Sequence, residues 1–189
     1  FIFPLLSILP VLFAGFSGYF RIGQRGQTFI LFLVSVSFGL IAFTAESAGV
    51  KHTDIYYYQN LYDFYAGSSF KEISLNNFLF DIINFLLANY VTPNPRFVGL
   101  FWITIAYFFM LISIVKIVRN CFNPLSKWMF LILVAALVIM PFVWISELVK
   151  QSVTFSLFAY ALSMKLSGEK GAFWYLLVAI MLHMTVLII

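Results

Sequence analysis

His183 lies well inside an apolar run, in Met181-Leu182-His183-Met184-Thr185. An ionisable group in such a run usually faces a protein interior or an aqueous cavity and carries function. With an ordinary pKa of about 6.5, an imidazole there can act as a base or as a charged ligand for phosphate. A histidine simply hydrogen-bonded between helices is the plainer alternative. Lys150 opens another apolar run, followed by Gln151 and Ser152, with Glu147 three residues earlier. An ammonium there suits a phosphate or diphosphate group; it can equally snorkel to an interface and pair with Glu147 at i, i+3. The third concentration is residues 46–72, which hold four of the seven carboxylates and five of the ten tyrosines. Asp54 is followed there by Tyr56-Tyr57-Tyr58, then Tyr62, Asp63 and Tyr65. Rings beside carboxylates and amides suit sugars, because the ring stacks on C–H faces while polar groups hold hydroxyls. Membrane-interface anchoring is the simpler account of tyrosines, and it suffices for Tyr19, Tyr90 and Tyr107.

The elements that must position these residues are membrane helices. The chain is 63% hydrophobic and 10% charged, with mean hydropathy +1.01, whereas globular domains carry roughly 25% charged residues. Apolar windows of about 20 residues recur, the length that crosses ~30 Å of hydrocarbon. They lack the period-two alternation of a β-barrel. The expected fold is therefore all-α, a polytopic transmembrane helical bundle. A chain that begins Phe1-Ile2-Phe3 and stops inside an apolar run at Ile188-Ile189 is expected to be part of one larger membrane domain, truncated at both ends. The first run has neither a basic region before it nor a small-residue cleavage site, so no cleaved signal peptide is expected. Cys121 stands alone and builds no disulfide framework. The net charge of +4 reflects basic loops, not nucleic-acid binding. No histidine or carboxylate set has metal-ligand spacing on one helix, and no glycine-rich phosphate loop is present.

Full spans are expected at about 1–20, 28–45, 97–115, 127–145, 150–166 and 172–189. Arg21 and Arg25, then Lys116, Arg119 and Lys127, then Lys165 and Lys170 mark three short basic connections. The positive-inside rule places these in the cytoplasm. A polar loop over 46–72 and the turn around 146–151 then face outward. A weaker window, 73–91, would reverse this bias if it spanned. Its stripe of Asn77, Asp81 and Asn84 at i, i+4, i+7 lies opposite Phe78, Ile82, Phe85 and Leu86. A re-entrant or interfacial helix on the outer side is expected, closed by Thr92-Pro93-Asn94-Pro95. Counting about 1.5 Å per residue from 172 puts His183 in the outer half of the bilayer.

The order of these motifs, from about residue 28 to the end, resembles the EpsG family of Wzy-type exopolysaccharide and O-antigen polymerases. The matching features are Asp54 before Tyr56-Tyr57-Tyr58, Glu72 before an amphipathic stretch, and Lys150-Gln151-Ser152-Val153 opening a helix. The turn Gly168-Glu169-Lys170-Gly171 and the run His183-Met184-Thr185-Val186-Leu187 follow. Two positions depart: Lys150 stands where the family usually has Arg, and Ile55 separates Asp54 from the aromatics. An ammonium lacks the planar bidentate grip of guanidinium.

The resemblance implies glycosyl transfer at the outer face of a bacterial inner membrane, from one undecaprenyl-diphosphate-linked glycan to another. Lys150 would offset charge on the departing diphosphate, and His183 or Asp54 would accept the proton of the acceptor hydroxyl. Tyr56, Tyr57, Tyr58 and Tyr62, with Glu72 and Gln151, would hold substrate. No cofactor or metal is implied, since the donor is already activated. The implied partners are the lipid-linked glycan, membrane lipid and a chain-length regulator. A polyprenyl-phosphate-sugar-dependent glycosyltransferase, a transporter or flippase, and a structural or sensory membrane protein are the alternatives. Asp54 and Asp63 match poorly the carboxylate pair of the first, and no inverted repeat supports the second.

Overall fold

The computed structural model describes residues 24–44, 54–73, 77–121 and 148–183. All regular structure among them is helical. It comprises α1 (Gln24–Thr44), α2 (Asp54–Gly67), a 3-10 turn (Phe70–Glu72), α3 (Phe78–Tyr90), α4 (Phe97–Cys121), α5 (Val149–Leu166) and α6 (Ala172–Leu182). The expected spans over 1–20 and 127–145 lie outside the described residues.

Two stretches, Arg25–Thr44 in α1 and Phe97–Ile117 in α4, are long and apolar enough to cross a membrane. The apolar helices α3 and α6 have 13 and 11 residues, roughly 20 and 16 Å of rise, short of ~30 Å of hydrocarbon. The run expected as one span over 172–189 leaves helical geometry within its described part. α6 stops at Leu182, and His183 is extended (φ −160°, ψ 120°).

α1 packs antiparallel on α4. Phe32 meets Phe108 edge-on at 5.8 Å, Phe38 stacks on Tyr107 at 4.1 Å, and Ala42 lies against Gly99. Small residues let the two backbones approach closely. At Gly39 a Cβ would stand 2.6 Å from the Leu100 carbonyl oxygen and would also meet Thr104 Oγ1. α5 runs parallel to α4, with Phe109 against Tyr160 at 5.1 Å, Lys116 paired with Glu169 and Asn120 with Ser167. Gly168 adopts a left-handed φ of 69°, and the Glu169 N–H donates to the Met164 carbonyl at 2.9 Å. This glycine-closed helix end turns the chain back into α6, where Tyr175 meets Tyr160 at 4.8 Å.

These directions have two consequences. The antiparallel α1–α4 register brings Arg25 level with Lys116, and Glu169 joins Lys116 from the α5–α6 turn. The three basic connections, as far as they are described, thus share one end of the bundle. The start of α5 and the end of α6 meet at the other.

That opposite end is covered by α2 and α3, and here the expected loop is corrected. Residues 54–67 form a helix. Tyr58, Tyr62 and Tyr65 recur at i, i+4, i+7 and are all buried. Asp54 in the first turn complements the helix dipole. No Pro or Gly interrupts the segment before Gly67. Packing of this tyrosine face outweighs the modest helix propensity of the aromatics.

The orientation of α3 also differs from that of a surface helix. An interfacial helix would turn its Asn77, Asp81 and Asn84 stripe to water. Here Asp81 and Asn84 are only 2% and 1% exposed, while Phe78 and Leu86 on the other side are 49% and 45% exposed. The Trp102 indole N–H donates to Asn84 Oδ1 at 2.7 Å, and Phe80 lies between Tyr58 and Trp102 in an aromatic column. The helix therefore turns Asp81 and Asn84 inward together with Phe80, Phe85 and Ala88, and leaves Phe78 and Leu86 on its outer side.

Candidate functional site

α5 begins with Val149 buried against the core and Lys150 half-buried beside it. The Lys150 ammonium donates to Asn77 Oδ1 at 2.7 Å, tying the start of α5 to the start of α3. The carboxylates of Asp81 and Asp54 also act on Lys150. Asp81 comes from the first turn of α3, where its Oδ2 accepts from the Asn77 N–H at 3.0 Å. Asp54 comes from the first turn of α2. His183, half-buried at the end of α6, lies within reach of the Lys150 charge. Of the expected catalytic residues, Asp54 and His183 thus each lie within electrostatic reach of Lys150, the centre of a charged cluster. Asp81 and Asn77 belong to it as well.

Burial raises the Asp81 carboxyl above its ordinary value, a shift opposed by the Asn77 N–H, the Tyr65 hydroxyl and Lys150. Burial also raises Asp54, opposed by Lys150. Both shifts have the direction expected when the charged form loses water. The Tyr65 hydroxyl and Asp81 Oδ1 are close enough to interact, yet neither completes a hydrogen bond of normal geometry. Gln151 Oε1, next to Lys150 in sequence, is likewise buried without a hydrogen-bond donor. Polar groups in this condition are costly. Two of them, the Tyr65 hydroxyl and Asp81 Oδ1, belong to the carboxylate–lysine cluster.

No family model, curated protein or solved structure matches this chain.

The expected substrate-binding tyrosines separate by helix face. Tyr57 is 61% exposed and Tyr56 is half-buried, so both have surface to offer a ligand. Tyr58 is buried against Phe80, and burial with the nearby Asp54 charge raises its hydroxyl. Tyr62 is fully buried and donates to the Thr92 carbonyl at 2.8 Å; burial pushes its pKa up to about 12. Its place is in the joint between α2 and the turn after α3. Glu72 is exposed, and its Oε2 accepts from the Ser69 N–H at 3.2 Å. That carboxylate serves its own 3-10 turn and is not among the charges acting on Lys150.

Asp81, Asn77 and Tyr65 were not among the expected site residues. The signal that points to Asp81 is a carboxylate within an apolar segment, which is functional by default in a membrane. For Tyr65 it is the i, i+4, i+7 spacing from Tyr58, which puts it on the buried face. Among the described residues no cluster of three or more histidine, cysteine or carboxylate side chains is arranged to hold a metal ion.

Proposed function

We propose that this chain is part of a multi-pass glycosyltransferase of the bacterial inner membrane. It polymerises undecaprenyl-diphosphate-linked oligosaccharide repeats into exopolysaccharide, capsule or O-antigen at the outer face. The observation that carries this reading is the convergence of Lys150, Asp54 and His183, from three separate helices, at the end opposite the basic connections. The positive-inside rule makes that end outward, where a lipid-linked glycan presents its diphosphate. The two stretches long and apolar enough to cross a membrane, in α1 and α4, also support a membrane-embedded chain.

In the proposed reaction an acceptor hydroxyl oxygen bonds to the anomeric carbon of the donor glycan. The bond from that carbon to the diphosphate oxygen breaks, and its electron pair leaves with undecaprenyl diphosphate. Lys150 offsets the charge on the leaving group. His183, Asp54 or Asp81 takes the hydroxyl proton, and a raised carboxyl is a better matched base than an ordinary one. The open faces of Tyr57 and Tyr56 stack on sugar rings, and Gln151 Oε1 accepts from a sugar hydroxyl. The buried set (Tyr58, Tyr62, Tyr65) holds α2 in position over the cluster.

The test is polymerisation of purified lipid-linked repeats by the full protein, read as a ladder on a gel. A ladder with the wild type that collapses to single repeats in Lys150→Ala and His183→Ala, at equal expression, is the expected result. An unchanged ladder in both variants overturns the residue roles, and no ladder with the wild type overturns the activity.

A further inference from the structure

At the basic end, α5, α6 and the turn joining them enclose an open cavity of about 610 Å³. Phe158, Leu162, Phe173 and Leu176 form its apolar wall, and Lys165 and Lys170 stand at its mouth. Glu169 is also on the rim, but its carboxylate is held by Lys116 from α4. Among the described residues no carboxylate pairs with Lys165 or Lys170, so the mouth keeps a net positive charge. Leu162 and Phe173 are 47% and 66% exposed, and the neighbouring Trp174 is 66% exposed. The apolar wall thus continues onto the outer surface of the hairpin.

We propose that this cavity binds an anionic glycerophospholipid. Its phosphate diester sits between Lys165 and Lys170, and an acyl chain lies along Leu162 and Phe173. Two cations above an apolar wall match an amphiphile with a negative head. Inorganic phosphate would leave the wall unused, and a zwitterionic lipid would present its own cation to the lysines. Lys116 contributes by neutralising Glu169, which would otherwise repel the phosphate. Basic pockets between helices on the cytoplasmic side are suited to such headgroups. The proposal rests on the chain being membrane-embedded and is independent of the polymerase reading.

The test is native mass spectrometry of the purified full protein, titrated with phosphatidylglycerol or with phosphatidylcholine of the same acyl chains. The wild type should retain one phosphatidylglycerol roughly thirtyfold better than phosphatidylcholine, the preference that two lysine contacts supply. The Lys165→Gln/Lys170→Gln variant should lose that preference. Leu162→Trp, which crowds the apolar wall from an exposed position and keeps both charges, should weaken retention as well. Equal retention of the two lipids by the wild type overturns the proposal. So does undiminished retention in Leu162→Trp, which would reduce the effect to surface charge, and so does full displacement by inorganic phosphate at millimolar concentration.

Discussion

Lys150 Nζ reaches across 73 residues of sequence to donate to Asn77 Oδ1 at 2.7 Å, with Asp81 one helical turn beyond Asn77. The bond makes the first turns of α3 and α5 one unit, and Lys150 is the cation that faces both Asp81 and Asp54. Lys150→Met removes it and leaves the buried Asp81 carboxylate and the half-buried Asp54 carboxylate each without this cation. At pH 7 this variant is expected to lose about 1–2 kcal/mol of stability, less than a fully buried pair because Lys150 and Asp54 are only half-buried. At pH 5 the loss should shrink, because the raised carboxyls take up protons. Thermal unfolding of the detergent-purified protein at the two pH values measures both.

The pH dependence of the wild type carries the same sign. Burial raises the folded-state values of Asp54 and Asp81 above the ordinary 3.8. Between the unfolded and folded values the folded chain therefore binds more protons, and stability falls as pH rises. The contribution is fully present below pH 3.8 and is lost as pH passes through the raised folded values. Asp81→Asn should flatten its share of this slope. The difference between wild-type and Asp81→Asn melting temperatures across pH 4–7 isolates that share from other titrating groups; a difference independent of pH would count against it.

The tyrosines of α2 should divide cleanly between binding and folding. Tyr62→Phe deletes the hydroxyl bonded to the Thr92 carbonyl and is expected to cost about 0.5–1.5 kcal/mol of stability. Tyr57→Ala removes an exposed ring. It should leave the melting temperature within a degree or so of wild type while raising KM for lipid-linked repeats. Melting curves and polymerisation at varied donor concentration, run on both variants, separate the two roles.

The α3–α4 contact offers a further check. Trp102→Phe keeps the ring packed on Phe80 but strands Asn84 Oδ1 in the interior, a loss of about 1–3 kcal/mol. Adding Asn84→Leu removes the stranded group, and the double variant should recover most of that stability. A double variant no more stable than Trp102→Phe would place the cost in packing and not in the hydrogen bond.

Much of the helical content follows from local composition. The apolar runs behind α1 and α4 are long and free of charge, and a helix is the backbone form that satisfies its own hydrogen bonds in hydrocarbon. The special character of Lys150, His183 and Asp54 is equally local, because each is a polar or ionisable group where its surroundings do not favour one. The helix of α2, expected as a loop, left only the i, i+4, i+7 spacing of Tyr58, Tyr62 and Tyr65 as its trace in the sequence. The density of polar residues around them masks that period, since polar composition and loop structure coincide in most sequences.

Which way α3 faces was open. A stripe of Asn77, Asp81 and Asn84 specifies an amphipathic helix, but the polar side turns to water on a surface and to the protein interior beside lipid. Trp102, from α4, supplies the donor that lets Asn84 point inward. The meeting of Lys150 with Asn77, Asp81, Asp54 and His183 was likewise beyond the sequence alone. It depends on α1 pairing antiparallel with α4, α5 running parallel to it, and Gly168 turning α6 back. Sequence by itself determined that the long apolar runs of α1 and α4 are helical and which side chains are chemically unusual, because both depend on near neighbours along the chain. Tertiary structure decided which of those side chains share a site, because helix direction and facing are set by contacts between segments tens of residues apart.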